Sequence, residues 1–206
     1  MQTAADKLWK RKGESYFETM QNKSNRTKLR YWMQEQQLIQ VLKKLEDIET
    51  ILEVGCGYGR ITKILQQIFP QAQITAIDIS MHQLRQARKV LKKIRFNEIS
   101  LFHLPPMPTY DLVIAIEVLM HIHPDKIAEA INILTQKSNQ YILNLDWYDP
   151  HGTEESDFCY THSYNQLYLE NRFCKVSTYD LSAPFIGTKQ RIFQAQKWLN
   201  HGSEAQ

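Results

Sequence analysis

A doubly wound α/β fold around a mostly parallel sheet is predicted by three features of this sequence. An apolar run, Ile51 to Val54, stops at the alternating glycines Gly55, Gly57 and Gly59 and then resumes with helical spacing. A second run, residues 73–77, ends at Asp78 about twenty residues on, and two uninterrupted apolar runs follow at 111–115 and 141–145. Runs of this kind, separated by amphipathic segments of helical period, read as buried parallel strands joined by crossover helices.

Taken in order, residues 1–50 are rich in Lys, Arg, Gln and Asn, with Trp9, Tyr16, Phe17, Tyr31 and Trp32 spread among them. Leu29, Trp32, Met33, Leu38, Val41, Leu42 and Leu45 recur at steps of three and four, predicting one amphipathic helix, or two with a short break, packed on the sheet. The glycines allow positive φ and close approach of the backbone to a ligand, and the helix start behind them offers unpaired N–H groups. A nucleotide-like ligand suits that turn, although the spacing differs from G-x-G-x-x-G. Ile61, Ile64, Leu65, Ile68 and Phe69 stripe the first crossover helix, which Pro70 ends. Asp78 stands where a carboxylate can accept both hydroxyls of a ribose. Ser80 caps a second helix to about residue 91, with Met81, Leu84, Ala87, Val90 and Leu91 inward.

The third strand falls within residues 94–101, and the prolines of 103–108 make a stiff connection. Beyond the fourth strand, residues 116–120 lie at the carboxyl edge of the sheet, where open α/β folds bind ligands. Pro124 opens a helix to about residue 136 with Ile127, Ala130, Ile131 and Leu134 buried. After the fifth strand, residues 146–162 crowd Trp147, Tyr148, His151, Asp157, Phe158, Tyr160 and His162 into a loop suited to a small acceptor. Residues 163–171 read as a short helix, and 175–181 and 191–196 as two final strands.

The segment from Glu53 to Gly59, the acid Asp78 and the stretch from Tyr110 to Ile122 together resemble the class I S-adenosylmethionine-dependent methyltransferases, over roughly residues 50–195. The resemblance implies a Rossmann-like, doubly wound, mostly parallel seven-stranded sheet with an antiparallel C-terminal edge hairpin, preceded by N-terminal helices. It implies one domain over 1–206: a helical cap at 1–49, the core at 50–197 and a tail at 198–206. The cofactor implied is S-adenosyl-L-methionine, with S-adenosyl-L-homocysteine as product. Gly55, Cys56, Gly57 and Gly59 would bound its methionine and ribose, Glu53 would orient the methionyl amine, Asp78 would hold the ribose hydroxyls and Ile79 would pack on the adenine. Aligning Leu104 and Pro105 with the family's Leu-Pro places Ser100 and Leu101 at the adenine, with Asn97 or Glu98 as alternatives. Glu117 would face the cofactor, and Tyr16, Phe17 or Tyr31 would close over the methionine or the acceptor.

Methyl transfer from a sulfonium is an in-line displacement that needs a base only where the acceptor must lose a proton. Base candidates are His121, Asp146 and His162, with His123 and His151 behind them. Tyr16, Trp147, Tyr148 and His151 are the expected acceptor contacts. Glu117, His121 and His162 also resemble three of four metal ligands in small-RNA 3′-terminal 2′-O-methyltransferases, but Met120 stands at the second Glu position. A hard cation wants that carboxylate, so no metal is expected. The fourth-strand exit lacks the Asn/Asp-Pro-Pro-Tyr/Phe pattern of base amino-methylation.

A net charge of +3 is too mild for a dedicated nucleic-acid face. No stretch approaches a membrane span and the N-terminus lacks an apolar signal core, so a cytoplasmic protein is expected. Three cysteines without a C-x-x-C pair read as small buried apolar residues. The expected function is methyl transfer to O or N of a small molecule, modified amino acid or peptide natural product. The alternatives are the metal-assisted RNA enzyme and a non-catalytic S-adenosylmethionine-binding protein.

Overall fold

The computed structural model describes residues 4–148, 159–181 and 190–197. Two helices, α1 (Ala4–Gln21) and α2 (Asn25–Leu42), precede an alternation of β1 (Thr50–Val54), α3 (Arg60–Ile68), β2 (Gln73–Asp78), α4 (Met81–Val90), β3 (Arg95–Glu98), β4 (Tyr110–Ile116), α5 (Pro124–Lys137) and β5 (Ser138–Trp147). The short helix α6 (Tyr164–Glu170) and strands β6 (Lys175–Asp180) and β7 (Gln190–Gln196) follow. The seven strands lie in the order β3-β2-β1-β4-β5-β7-β6. The first five are parallel, and β7 runs antiparallel between β5 and β6. The chain reverses its direction of progress between β1 and β4, which opens a crevice at their carboxyl ends.

The uninterrupted apolar strands follow from burial on both faces. In β4, Leu112, Ile114 and Ile116 pack with Leu38, Leu42, Ile61 and Leu65 of α2 and α3. Its alternate residues Val113 and Ala115 pack with Ile131 and Leu134 of α5 and Tyr164 and Tyr168 of α6. A smaller cluster of Leu84, Ala87 and Leu91 seats α4 on Ala76 and Phe96. Lys137, buried at the end of α5, donates to the carbonyls of Pro105 and Pro108 and so ties down the proline connection. Among the described residues, no helix is long and apolar enough to cross a membrane.

Several elements differ from expectation. β5 continues through Asp146 and Trp147 because β7 supplies partners there, Asp146 opposite Arg191 and Trp147 opposite Gln190. These two residues therefore belong to the sheet and not to the acceptor loop. Leu29 and Trp32 are exposed, since the buried face of α2 runs through Gln34, Leu38, Val41 and Leu42. Val90 is likewise exposed, because Leu84, Ala87 and Leu91 already define the inward face. Of the cysteines only Cys56 is buried; Cys159 is half-buried and Cys174 exposed.

Candidate active site

A cavity of about 390 Å³ occupies the crevice at the carboxyl ends of β1, β2 and β4. Its floor is the start of the glycine turn, Gly55 to Gly57, whereas Gly59 lies outside the lining and faces Ala87 and Leu91 of α4. Gly55, Gly57 and Gly59 take φ of 70°, 55° and 89°, a region costly for any residue with a Cβ. A Cβ on Gly55 would also sit 2.4 Å from Val118 Cγ2. Beside the turn, Asp78 accepts from the N–H of Gly57 and of Ser80, each at 2.8 Å. Burial pushes this carboxyl up from its usual range, and the backbone bonds work against the rise.

Glu53 lies in β1 with 2% of its surface exposed and accepts from Thr62 Oγ1 at 2.5 Å. Burial pushes its carboxyl up to about 8, against the pull of Thr62 and Arg60. Ile79, Ser100, Leu101, Ile99 and Phe102 line the far end as a largely apolar slot. Ser100 also turns the chain there, accepting from Phe102 N at 3.4 Å. Neither Asn97 nor Glu98 lines the cavity; both are exposed on β3.

On the opposite side, Glu117 takes a positive φ of 58° directly after β4. Its Oε2 accepts from Arg60 Nη2 at 3.2 Å and its Oε1 from Gln190 Nε2 at 2.9 Å. Arg60 also donates to Gln34 and Glu35, each at 3.0 Å, and Gln34 Nε2 donates to Gln190 Oε1 at 3.3 Å. Glu117, Arg60, Gln34 and Gln190 thus close a hydrogen-bonded ring that joins α2, α3 and β7 behind the cavity. The Tyr31 ring lies 4.8 Å from the Arg60 guanidinium carbon.

Helix α1 roofs the cavity with Asp6, Trp9, Gly13 and Tyr16, residues that share one helical face. Trp9 packs on Tyr16 at 5.7 Å and on His121 at 4.6 Å between ring centroids. His121 lines the cavity with Cys159 Sγ 3.6 Å from its Nδ1, and His123, Lys126 and Tyr160 complete that end.

Asp146 and His162 sit outside the lining. Asp146 is fully buried, accepting from Met120 N at 3.1 Å and from Asn144 Nδ2 at 2.6 Å, and burial pushes it up to about 8. His162 is 9% exposed against Tyr164, and burial pulls its imidazole down. Both brace the turn 118–122 that presents His121, instead of reaching the cavity themselves. Trp147 and Tyr148 are also outside it; Tyr148 packs between Arg191 and Phe193. His151 and most of the expected acceptor loop fall outside the described residues. Sequence reasoning passed over Arg60, Trp9, Gly13 and Gln83 as site residues. The spacing of residues 6, 9, 13 and 16 along one helical face was the available signal for the roof.

A sheet of this order, with a glycine turn after β1 and an acid at the end of β2, defines the Rossmann-like fold of class I methyltransferases. Residues 51–137 match the family model described as a methyltransferase domain. Trans-aconitate 2-methyltransferase of Escherichia coli is 38% identical over 71 residues, 34% of this chain and 28% of the relative. The same-named protein of Azoarcus sp. is 33% identical over 75 residues, 36% of this chain and 30% of the relative. The chain therefore spans less than a third of the length of these curated relatives. Magnesium protoporphyrin IX methyltransferase of Synechocystis, crystallised with bound S-adenosylmethionine, superposes with a TM-score of 0.76 at 18% identity, covering 96% of this chain and 99% of that one. The N-methyltransferase NodS of Bradyrhizobium japonicum gives 0.69 at 14% identity, covering 82% and 96%.

Proposed function

We propose that the cavity binds S-adenosylmethionine and that the protein transfers its methyl group to an O or N of a small molecule, modified amino acid or peptide natural product. The observation that carries this reading is the Asp78 carboxylate, held against Gly57 at the open end of β2 inside a cavity roofed by α1. In this reading Asp78 accepts from a ribose hydroxyl, Ile79 and Leu101 sandwich the adenine, Glu53 accepts a hydrogen bond from the methionyl ammonium and Glu117 adds negative charge beside it. The bound cofactor supplies a sulfonium-activated methyl group. The chain's part is then to orient it, exclude water beneath α1 and line the acceptor end with His121, Trp9 and Tyr160.

Of the base candidates, His121 and His123 line the cavity, and Asp146 and His162 support His121 through the turn they brace. The donor set does not favour a hard cation at Glu117. Both its oxygens are engaged by Arg60 and Gln190, and Met120 is buried as an apolar side chain. Relatives named for trans-aconitate and magnesium protoporphyrin IX support a small acceptor.

Calorimetry with S-adenosylmethionine and S-adenosylhomocysteine tests the reading, on the wild type and Asp78→Ala, with and without Mg²⁺ or Mn²⁺. Binding that is lost in the variant and indifferent to metal supports it, and acceptor screening by S-adenosylhomocysteine release follows. No binding to the wild type overturns it, and metal-enhanced binding redirects it to RNA 3′ ends.

A further inference from the structure

Gln83 stands at the third position of α4, three residues after the cap Ser80, where a Gln side chain commonly turns back to the cap's own N–H. Here the Ser80 N–H is already taken by Asp78 Oδ1. The Gln83 amide goes elsewhere: its Nε2 donates at 2.8 Å to the carbonyl of Gly13 in the roof helix. A carbonyl can only accept, so this bond fixes which end of the amide faces α1. The other end, Oε1, has no hydrogen-bond partner, although the residue is only 3% exposed and lines the cavity. Oε1 lies 3.7 Å from where a Cβ on Gly57 would stand, beside the backbone that Asp78 grips.

Leaving a buried amide oxygen unsatisfied costs free energy that a ligand donor would recover. The roof comes close at the same place. A Cβ on Gly13 would fall 2.2 Å from Ser80 Oγ, so α1 docks on the start of α4 through a glycine that has no room for a side chain.

We propose that Gln83 is a two-ended latch: its Oε1 accepts a hydrogen bond from one ribose hydroxyl while Asp78 accepts from the other, and its Nε2 holds α1 closed over the cavity. This rests on the cofactor reading above and adds a second ribose acceptor and a link from ligand to roof. Accepting a bond at Oε1 polarises the amide and strengthens donation from Nε2, so occupancy of the cavity and docking of α1 favour each other. Asp78 binds without sensing the roof; Gln83 does both.

The test uses Gln83→Met, which keeps the bulk and loses both polar ends, and Gln83→Glu, which keeps an acceptor but sets a carboxylate against the Gly13 carbonyl. Calorimetry with S-adenosylhomocysteine and its 2′-deoxy and 3′-deoxy analogues is read beside amide hydrogen exchange of α1. The wild type is expected to bind the parent ligand and to protect α1 on binding. Gln83→Met should bind it roughly tenfold more weakly, lose its discrimination against one deoxy analogue, and show α1 exchange that no longer responds to ligand. Gln83→Glu should keep that discrimination while α1 exchanges faster.

If the wild type fails to bind, the cofactor reading falls and this inference with it. Wild-type binding together with unchanged deoxy discrimination in Gln83→Met overturns the latch alone, as does ligand-induced protection of α1 that persists in Gln83→Met.

Discussion

Replacing Glu53 with glutamine should make the stability of the ligand-free protein less sensitive to pH. Glu53 is 2% exposed, and its carboxyl rises from 4.5 to about 8 through burial. Because the folded-state value is the raised one, the native protein keeps a proton that the unfolded chain has released. The stabilisation is full below about 4.5 and is lost as pH climbs through about 8. Each pH step in that window is worth about 1.4 kcal/mol, so between about pH 5.5 and about pH 8 the wild type should lose about 3 kcal/mol from this group. Glutamine matches the protonated side chain in shape, can still accept from Thr62 Oγ1, and has no proton to lose. Urea unfolding followed by circular dichroism across that range should show the two stability profiles diverging by about 3 kcal/mol in favour of the variant at the alkaline end. Asp146 titrates in the same direction in both proteins and cancels in the difference. Parallel profiles would refute the argument, because they would mean Glu53 is already ionised in the folded state.

Two further substitutions probe the architecture. Gly55→Ala meets both the φ of 70° and Val118 Cγ2, and should lower stability by about 2–4 kcal/mol in thermal or urea unfolding. Adding Val118→Ala should return only part of that loss, since it removes the clash and leaves the backbone strain; full rescue would show the φ to be inconsequential. Arg60→Ala leaves Glu117 held by Gln190 alone and should cost about 3 kcal/mol. Pairing it with Glu117→Gln should recover at least about 1 kcal/mol in a double-mutant cycle, and strict additivity would show that the ring carries no coupling.

The fold was largely legible because its signals are local. The runs at 51–54 and 111–115 had to be parallel strands buried on both faces, the stripes of α3 and α5 followed helical spacing, and Pro70 and Pro124 marked a stop and a start. The glycine turn and Asp78 were legible for a similar reason, since backbone conformation and a strand-end carboxylate are written in a few adjacent residues. Trp32 and Val90 misled because an apolar stripe is wider than the face that finally packs, and neighbouring residues took the inward positions.

What could not be read depended on partners distant in the chain. Nothing around Asp146 reveals that β7 will extend β5 past it and seal it from the cavity. Nothing around Gln83 reveals that Gly13, seventy residues earlier, will take its amide and leave its oxygen facing the ligand space. The sequence by itself determined the order of strands and helices, the glycine turn and the acid beside it, because propensity, periodicity and turn chemistry act over a few residues. Only the tertiary structure decided which carboxylates and imidazoles face the cavity, which merely brace its walls, and how α1 closes over it. Burial and hydrogen-bond partnership are properties of the packed chain, set by contacts across tens of residues that no local pattern encodes.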